Sequence, residues 1–408
     1  MRSLVSVTRV KDYDPRAVVE AMRACLLPLG GMGAIVRPGQ RVLLKPNLLA
    51  SYAPERAVTT HPAIVRAAVL LVQEAGGTAV VGDSPGVGSL AFVARGCGIT
   101  PVLEETGTEL ADFSTPVALD APDNQVAKRL TLAKAIADVD VIVTLPKLKT
   151  HGQMTMTGAL KNQYGLIPGT LKSQWHFRLQ RPEWLAALVL DVHRVARPAL
   201  AIMDAIVGME GKGPSGGRPR FLGAMLASRD LAAVDTLACH LIDKEPRLVP
   251  ILEAARAQGL GATTLADLEI VGENWRSLRR PDFEKVSEFE DLLRILPLPK
   301  GVLRWVREQW TARPRILGAS CTQCGVCRDG CPVTPAAIRP DRPPAQQLDD
   351  DACIRCYCCQ EFCPNQAIAL ERSRLIRCLR LDPLVEQAGR LVSHLGMRRN
   401  HARGQSQG

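Results

Sequence analysis

The run RVLLKPNLLASYAPERAVTTHPAIVRAAVLLVQEAGGTAVVGDSPG, from Arg41 to Gly86, passes through a strand, a helix and a second strand. VLL at 42–44 is a short apolar run of strand length. THPAIVRAAVLLVQEAGG then sets Ile64, Ala67, Ala68, Leu71, Val72 and Ala75 on one helical face, with Thr60 as the expected cap. Gly76 and Gly77 close the helix, because its left-handed final turn is open to glycine at little cost. TAVVG resumes the strand pattern. Strand, helix and strand at these lengths form a crossover that joins parallel neighbours.

The alternation continues to about Glu273. A helix ends near Gly96, VDVIVTLP at 139–146 reads as a strand, LAALVLDVHRVA as a helix and ALAIMDAI as a strand. LGAMLAS, a helix through Leu231 to Ile242, and DLEIVGE repeat the pattern. The expected fold is therefore α/β, a largely parallel sheet with helices on both faces, occupying 1–273. The order of its strands is not fixed by the pattern. Beyond it, 274–317 reads as a basic, proline-bearing linker with a helix carrying Leu303, Val306 and Trp310. A cysteine-rich segment follows at 318–372. The arginine-rich 373–408 tail carries an apolar helical stripe of Leu381, Leu384, Val385, Ala388, Leu391, Val392 and Leu395.

Nine of the 13 cysteines lie in two runs, CTQCGVCRDGCP at 321–332 and CIRCYCCQEFCP at 353–364. Zinc sites are usually built from cysteine pairs, whereas each half here has three cysteines at intervals of three, a fourth after three more residues, and then proline. That spacing lets three thiolates take corners of one cubane while the fourth turns to the other cluster. Cys321, Cys324, Cys327 and Cys363 are thus expected to hold one [4Fe-4S] cluster, and Cys353, Cys356, Cys359 and Cys331 a second. This stretch resembles a bacterial-type two-cluster ferredoxin domain, a small α+β unit of about 55 residues. Cys358 interrupts the second run and reads as a free thiol beside the cluster, a ligand swap being the alternative. Cys25, Cys97, Cys239 and Cys378 are scattered and read as buried or idle thiols.

Nowhere do roughly 18 apolar residues follow one another, and MRSLVSVTRVKDYDP lacks an apolar run of signal-peptide length. Thiolate-bound clusters also call for a reducing compartment, so a cytoplasmic location is expected. The formal charge of +10 falls to roughly +6 once each oxidised cubane with its four thiolates is counted at about −2. No RNA-recognition signature and no basic run with stacking aromatics accompanies the remaining positive charge, so a nucleic-acid partner is not expected. The tail stripe packs on the protein itself, or docks on a partner or an anionic membrane surface.

Polar residues gather where strands end, the place at which open α/β sheets bind ligands. Lys45 and Asn47 follow VLL. Asp83 follows TAVVG, and Lys147, Lys149 and His151 follow VIVT. Lys161 and Asn162 lie in MTGALKNQYGLIPG, and Glu210 and Lys212 in AIVGMEGKGPSGG. Lysines in a crevice attract anions, and glycines let backbone N–H groups approach them. VGDSPGVG is neither GxGxxG nor a Walker loop, and a glycine turn accounts for it. His61 reads as a cap or packing residue. His151, His176 and His193 lack the helical spacing of a metal site.

LLKPNLL, TTHPAIVRAAV, VVGDSPG, TLPKLKTHGQMTMTGALKNQYGLIPG, and MDAIVGMEGKGPSGG with LASRDLAAVD resemble, in order, the family known as domain of unknown function 362, over roughly 42–261. The resemblance implies an iron–sulfur protein with a redox role and no settled substrate. Its characteristic positions would be Lys45, Asn47, His61, Asp83, Lys147, Lys149, His151, Lys161, Asn162, Asp204, Glu210 and Asp235.

The expected function is electron transfer through the clusters to an anionic small molecule. Lys147, Lys149 and Lys161 would hold the anion, His151, Lys45 or Lys161 would act at the reacting atoms, and Asp83 and Glu210 would orient the cations or hold a divalent metal. Asn47 and Asn162 complete the expected substrate site. A carrier that delivers electrons to a redox partner protein is the alternative, and a binding module with structural or oxidation-sensing clusters is a third reading.

Overall fold

Alternate residues of the 42–44 run leave the backbone on opposite sides, Val42 and Leu44 entering one apolar cluster and Leu43 another. The same alternation recurs in 141–145, where Val143 and Leu145 join the first cluster and Ile142 the second. A sheet that is apolar on both faces has to be covered on both.

The computed structural model describes residues 2–285 and 312–371, apart from 87, 170, 180 and 332. The chain divides into two compact units, Met1–Glu284 and Lys285–Gly408. The first begins with β1 (Ser3–Arg9) and α1 (Pro15–Leu26), elements absent from the sequence-based expectation. Asp14 caps α1 by accepting the N–H groups of Arg16 and Ala17. Then come β2 (Arg41–Pro46), α2 (Pro62–Glu74), β3 (Thr78–Val81), α3 (Leu90–Gly96), α4 (Ile99–Thr106) and β4 (Glu109–Leu110). A hairpin of β5 (Pro116–Asp120) and β6 (Arg129–Ala133) stands apart from the main sheet. The chain continues through β7 (Val141–Leu145), β8 (Lys147–His151), β9 (Thr155–Thr157), α5 (Ala159–Asn162), α6 (Leu171–Arg178), α7 (Pro182–Ala196), β10 (Leu200–Glu210), β11 (Arg218–Ser228), α8 (Leu231–Leu241), α9 (Pro250–Ala257) and β12 (Leu268–Gly272).

Among the described residues, ten strands form one mixed sheet with the path β12-β1-β11-β10-β7-β2-β3-β4, and β8 joins β10 to β9. The run β10-β7-β2-β3-β4 is parallel, as expected. The long β10–β11 pair is antiparallel, as is β11 with β1. Helices α1 to α4 cover one face and α5, α7, α8 and α9 the other. Residues 274–284, expected in the linker, pack on this unit through buried Trp275, Leu278 and Phe283. The Leu303–Trp310 helix and the tail stripe lie outside the described residues.

In the second unit β13 (Arg313–Ile316) pairs antiparallel with β14 (Ile368–Glu371), and α10 (Val326–Asp329) and α11 (Cys358–Phe362) lie between them in the chain. Its apolar cluster includes Ile316, Ile338, Ala367 and Ile368 with Cys327, Cys359 and Cys363. None of the helices among the described residues is long and apolar enough to cross a membrane.

Candidate functional site

Lys45 stands near the end of β2, whose register against β7 sets Lys45 opposite Thr144 and Pro46 opposite Leu145. Asp83 follows β3 by two residues, so parallel pairing brings it beside Lys45. Lys45 Nζ lies 2.8 Å from Asp83 Oδ1, with the lysine fully buried. Asp83 also accepts the N–H of Leu48 at 2.7 Å and of Ser84 at 2.9 Å. Burial pushes the Lys45 ammonium below its ordinary pKa, and Asp83 pulls it back. A Cβ at Gly165 would overlap Asp83 Oδ1 and lie 2.7 Å from Lys45 Nζ, so only glycine closes over the pair.

A second buried pair sits beside it. Lys147 Nζ donates to Asp204 Oδ2 at 2.8 Å and to the Tyr13 oxygen at 2.9 Å, and the Tyr13 hydroxyl donates to Asp204 Oδ1 at 2.8 Å. The His61 N–H supplies Asp204 Oδ2 with a further bond at 3.0 Å. The Tyr13 and His61 rings stack at 3.6 Å and 10°. Burial first, and the Asp204 charge second, hold the Tyr13 hydroxyl well above its ordinary pKa, so it remains a donor. Burial pushes Lys147 down against the pull of Asp204, and pushes His61 down to about 4. His61 Nδ1 accepts the Ala63 N–H, which makes His61 the cap of α2 in place of Thr60. Thr60 Oγ1 instead accepts the Asn47 N–H at 2.9 Å and donates to the Leu145 carbonyl at 2.6 Å.

Asn162 ties these groups together. Its Nδ2 donates to the Lys45 carbonyl at 3.1 Å and to Thr144 Oγ1 at 2.8 Å, and its Oδ1 accepts from Asn47 Nδ2 at 3.3 Å. Lys149 Nζ donates to the Val58 carbonyl at 2.7 Å. Lys45, Asn47, Asp83 and Asn162 therefore form one network, with Lys147 and Asp204 in the next. The lysines expected in an open crevice are sealed, since Lys45, Lys147 and Lys149 are at most 1% exposed.

The remaining sequence candidates have other partners. His151 Nδ1 accepts the N–H groups of Gln153 and Met154 and so closes the β8–β9 turn. Glu210 accepts from Arg218 Nε at 2.8 Å and from the Glu284 N–H at 2.9 Å. Lys161 is half-buried, with its ammonium 5.9 Å from the centre of the Tyr164 ring. Just before it, fully buried Asp235 accepts the N–H groups of Ala159 at 2.5 Å and Leu160 at 2.9 Å, pinning the start of α5. Burial drives this carboxyl up to about 7, with the two N–H bonds opposing. Sequence reasoning missed Tyr13.

The cysteines of the second unit sort into two cavities. Cys321, Cys324, Cys327 and Cys363 line one, and Cys331, Cys353, Cys356 and Cys359 line the other. Cys358 is buried and lines neither. The loops that feed the cavities share a backbone form. Gln323 and Arg355, each two residues after the first cysteine of its run, have φ +55°, and Gly325 and Tyr357 follow at +79° and +62°. Burial raises the thiols of Cys327 (to about 11), Cys353 and Cys359. Among the described residues, no three His, Cys, Asp or Glu side chains are grouped to hold a single metal ion.

Comparison with known proteins bears on the first unit above all. Residues 42–240 match the family model Domain of unknown function (DUF362). The thylakoid-associated protein sll1697 of Synechocystis sp. is 37% identical over 281 residues, 67% of this chain and 87% of its own. Among solved structures, the lactate racemase apoprotein of Thermoanaerobacterium thermosaccharolyticum aligns with a TM-score of 0.39 at 10% identity, over 60% of this chain and 58% of its own. A Thermotoga maritima protein aligns at 0.33 and 11%, over 52% and 55%. This chain thus spans little more than half of either solved chain. The family match runs from the start of β2 through nearly all of α8 and contains both buried lysine pairs, and with a relative aligned over most of its length it makes this chain a member of the DUF362 family.

Proposed function

We propose that the chain is an iron–sulfur protein whose 318–372 segment is a ferredoxin-type α+β unit holding two [4Fe-4S] clusters. It would pass electrons to an anionic small molecule at the strand ends of the first unit. The observation that carries this reading is the sorting of eight cysteines into two cavities, each lined by three thiols of one run and the fourth of the other. The cysteines fit the group. Four thiolates that bind four separate irons surround a volume and need not converge on one point, which accords with the lack of a single-ion grouping. When bound, each cluster supplies transfer of one electron at a time. Buried Cys327, Cys356, Cys359 and Cys363 keep water from the inner side of each cavity. The N–H groups of Gln323 and Ala367 donate to Cys321 Sγ at 3.4 Å and Cys363 Sγ at 3.2 Å, and so fix those sulfurs.

At the strand ends, half-buried Lys161 is the cation best placed to meet an entering anion, and its chain neighbour Asn162 accepts from Asn47 in the network. A specific observation favours a second reading, a carrier for a redox partner protein. Lys45 and Lys147 already hold Asp83 and Asp204, and an anion would have to compete with those fixed carboxylates. The chain is proposed to work in the cytoplasm. The name of the Synechocystis relative speaks of thylakoid association, which accords with peripheral membrane contact through the 373–408 tail.

Anaerobic purification tests the clusters, and roughly eight irons and eight sulfides per chain with dithionite-bleachable absorption are expected. Zinc in their place ends the proposal. The acceptor is tested by reoxidising the reduced protein with the small-molecule or the protein fraction of a cell extract. Loss of small-molecule reoxidation in Lys161→Ala, at all salt concentrations, supports the substrate site. Reoxidation by protein alone, fading as salt rises, supports the carrier.

A further inference from the structure

The two cysteine cavities are built on one plan but are not equivalent. After its fourth cysteine the second run reads CPNQAI, Cys363 to Ile368, and Ala367 N–H donates to Cys363 Sγ at 3.2 Å. The first run reads CPVTPAAI, Cys331 to Ile338, two residues longer. Ala337 and Ala367 occupy matching places, each buried at 2% exposure before a buried isoleucine, and their carbonyls accept from Asp349 N–H and Leu317 N–H respectively. The residue four after Cys331, the offset at which Ala367 serves Cys363, is Pro335, which has no N–H to give. Among the described residues no N–H reaches Cys331 Sγ.

Exposure differs in the same direction. The loop at the mouth of the first cavity, 317–324, is exposed at every residue but Cys321, and Cys324 itself is exposed. The corresponding loop of the second cavity, 349–356, is exposed only at Asp349 and Asp351, and Cys356, the counterpart of Cys324, is buried.

Adding an electron to a four-thiolate cubane takes its charge from about −2 to about −3. An N–H bond to a ligand sulfur and nearby water both stabilise the added negative charge, so both raise the reduction potential. Arg355 lines the second cavity and opposes this ordering, but its guanidinium is held 3.5 Å from Asp350, which offsets its charge. Resting on the cluster reading above, we infer that the cluster held by Cys321, Cys324, Cys327 and Cys363 has the higher potential. A one-electron, low-potential donor then leaves its first electron there, and exposed Cys324 marks the edge at which a one-electron acceptor collects it.

The test is a dithionite titration of the anaerobic full chain, followed by electron paramagnetic resonance, with iron and sulfide counted on the same sample. Two separate midpoints are expected. Cys324→Ser should alter the spectrum of the signal that appears at the higher midpoint, and Ala367→Pro should move that midpoint negative while leaving the lower one in place. If Ala367→Pro does not assemble its clusters, the Cys324→Ser assignment decides alone. A full complement of iron with coincident midpoints, or with Cys324→Ser altering the lower-midpoint signal, overturns the inference and leaves the cluster reading standing. Absence of iron overturns the cluster reading itself.

Discussion

Lys147 Nζ and Asp204 Oδ2 meet at 2.8 Å with neither side chain more than 1% exposed. Removing one partner strands the other as a buried charge, at a cost of roughly 3–5 kcal/mol, whereas an apolar pair of similar volume can be neutral. Asp204→Ala should therefore lower the urea midpoint strongly, because it also deprives the Tyr13 hydroxyl and the His61 N–H of their acceptor. Lys147→Met with Asp204→Leu should recover part of the loss. A double variant no better than Asp204→Ala would show that the pair contributes more than mutual neutralisation.

Gly158 offers a steric test of how α5 is held. Its φ of −138° suits any residue, yet a Cβ there would overlap the Asp235 carboxylate. Gly158→Ala should cost about 1–3 kcal/mol in denaturant unfolding. Gly39 is the control. It has φ +83° and open space around its Cβ position, so Gly39→Ala should show only the backbone penalty, roughly 1 kcal/mol. Equal losses in the two variants would remove the argument for Asp235 as an anchor.

Acid should weaken the fold through its histidines. His61, His193 and His240 are each pushed by burial from 6.5 down to about 4, so their contribution is complete above 6.5 and is lost as pH falls toward 4. Asp235, raised from 3.8 to about 7, works the other way, and its contribution is complete below 3.8 and lost as pH rises through 7. Between pH 7 and pH 5, His193→Gln should lose less stability than the unaltered chain and Asp235→Asn should lose more. Urea midpoints at the two pH values measure both, and an unchanged difference in either variant would contradict the assignment.

Cys358 lies next to Cys359 yet lines neither cavity. Cys358→Ala should keep the full iron content, whereas Cys359→Ser should lose about half of it and destabilise the remainder. Iron loss in Cys358→Ala, measured on anaerobically purified protein, would move the ligand register by one residue.

The parallel core was legible because VLL, TAVV and VIVTL carry their period in a few residues and each is followed by a helical pattern. β1 carries no such signal, because SLVSVTR buries mainly its centre, Val5, Ser6 and Val7, and its partners lie more than 200 residues on. The lysines stood out as strand-end residues, but their surroundings did not. Lys147 and Asp204 are 57 residues apart and Lys147 and Tyr13 are 134 apart, so only folding shows that their charges are already matched. His61 displaced Thr60 as cap because Thr60 is drawn inward to Asn47 and Leu145. The cysteine sets were proposed from spacing, since the reach of three thiolates from one short loop is a local property, whereas the fourth of each set comes from the other run.

The place of β1 between β11 and β12 bears on how the protein is made. Ser3 aligns with Leu268, so one partner of the first strand leaves the ribosome on the order of tens of seconds after it, at about 5–20 residues per second. Through that interval the strand keeps an open edge that invites pairing with another chain. Synthesis halted near residue 240 would leave β12 unmade and release a chain with that edge uncovered. Early chaperone engagement of the N-terminal segment, and aggregation of 3′-truncated products, are the expected signatures in the cell.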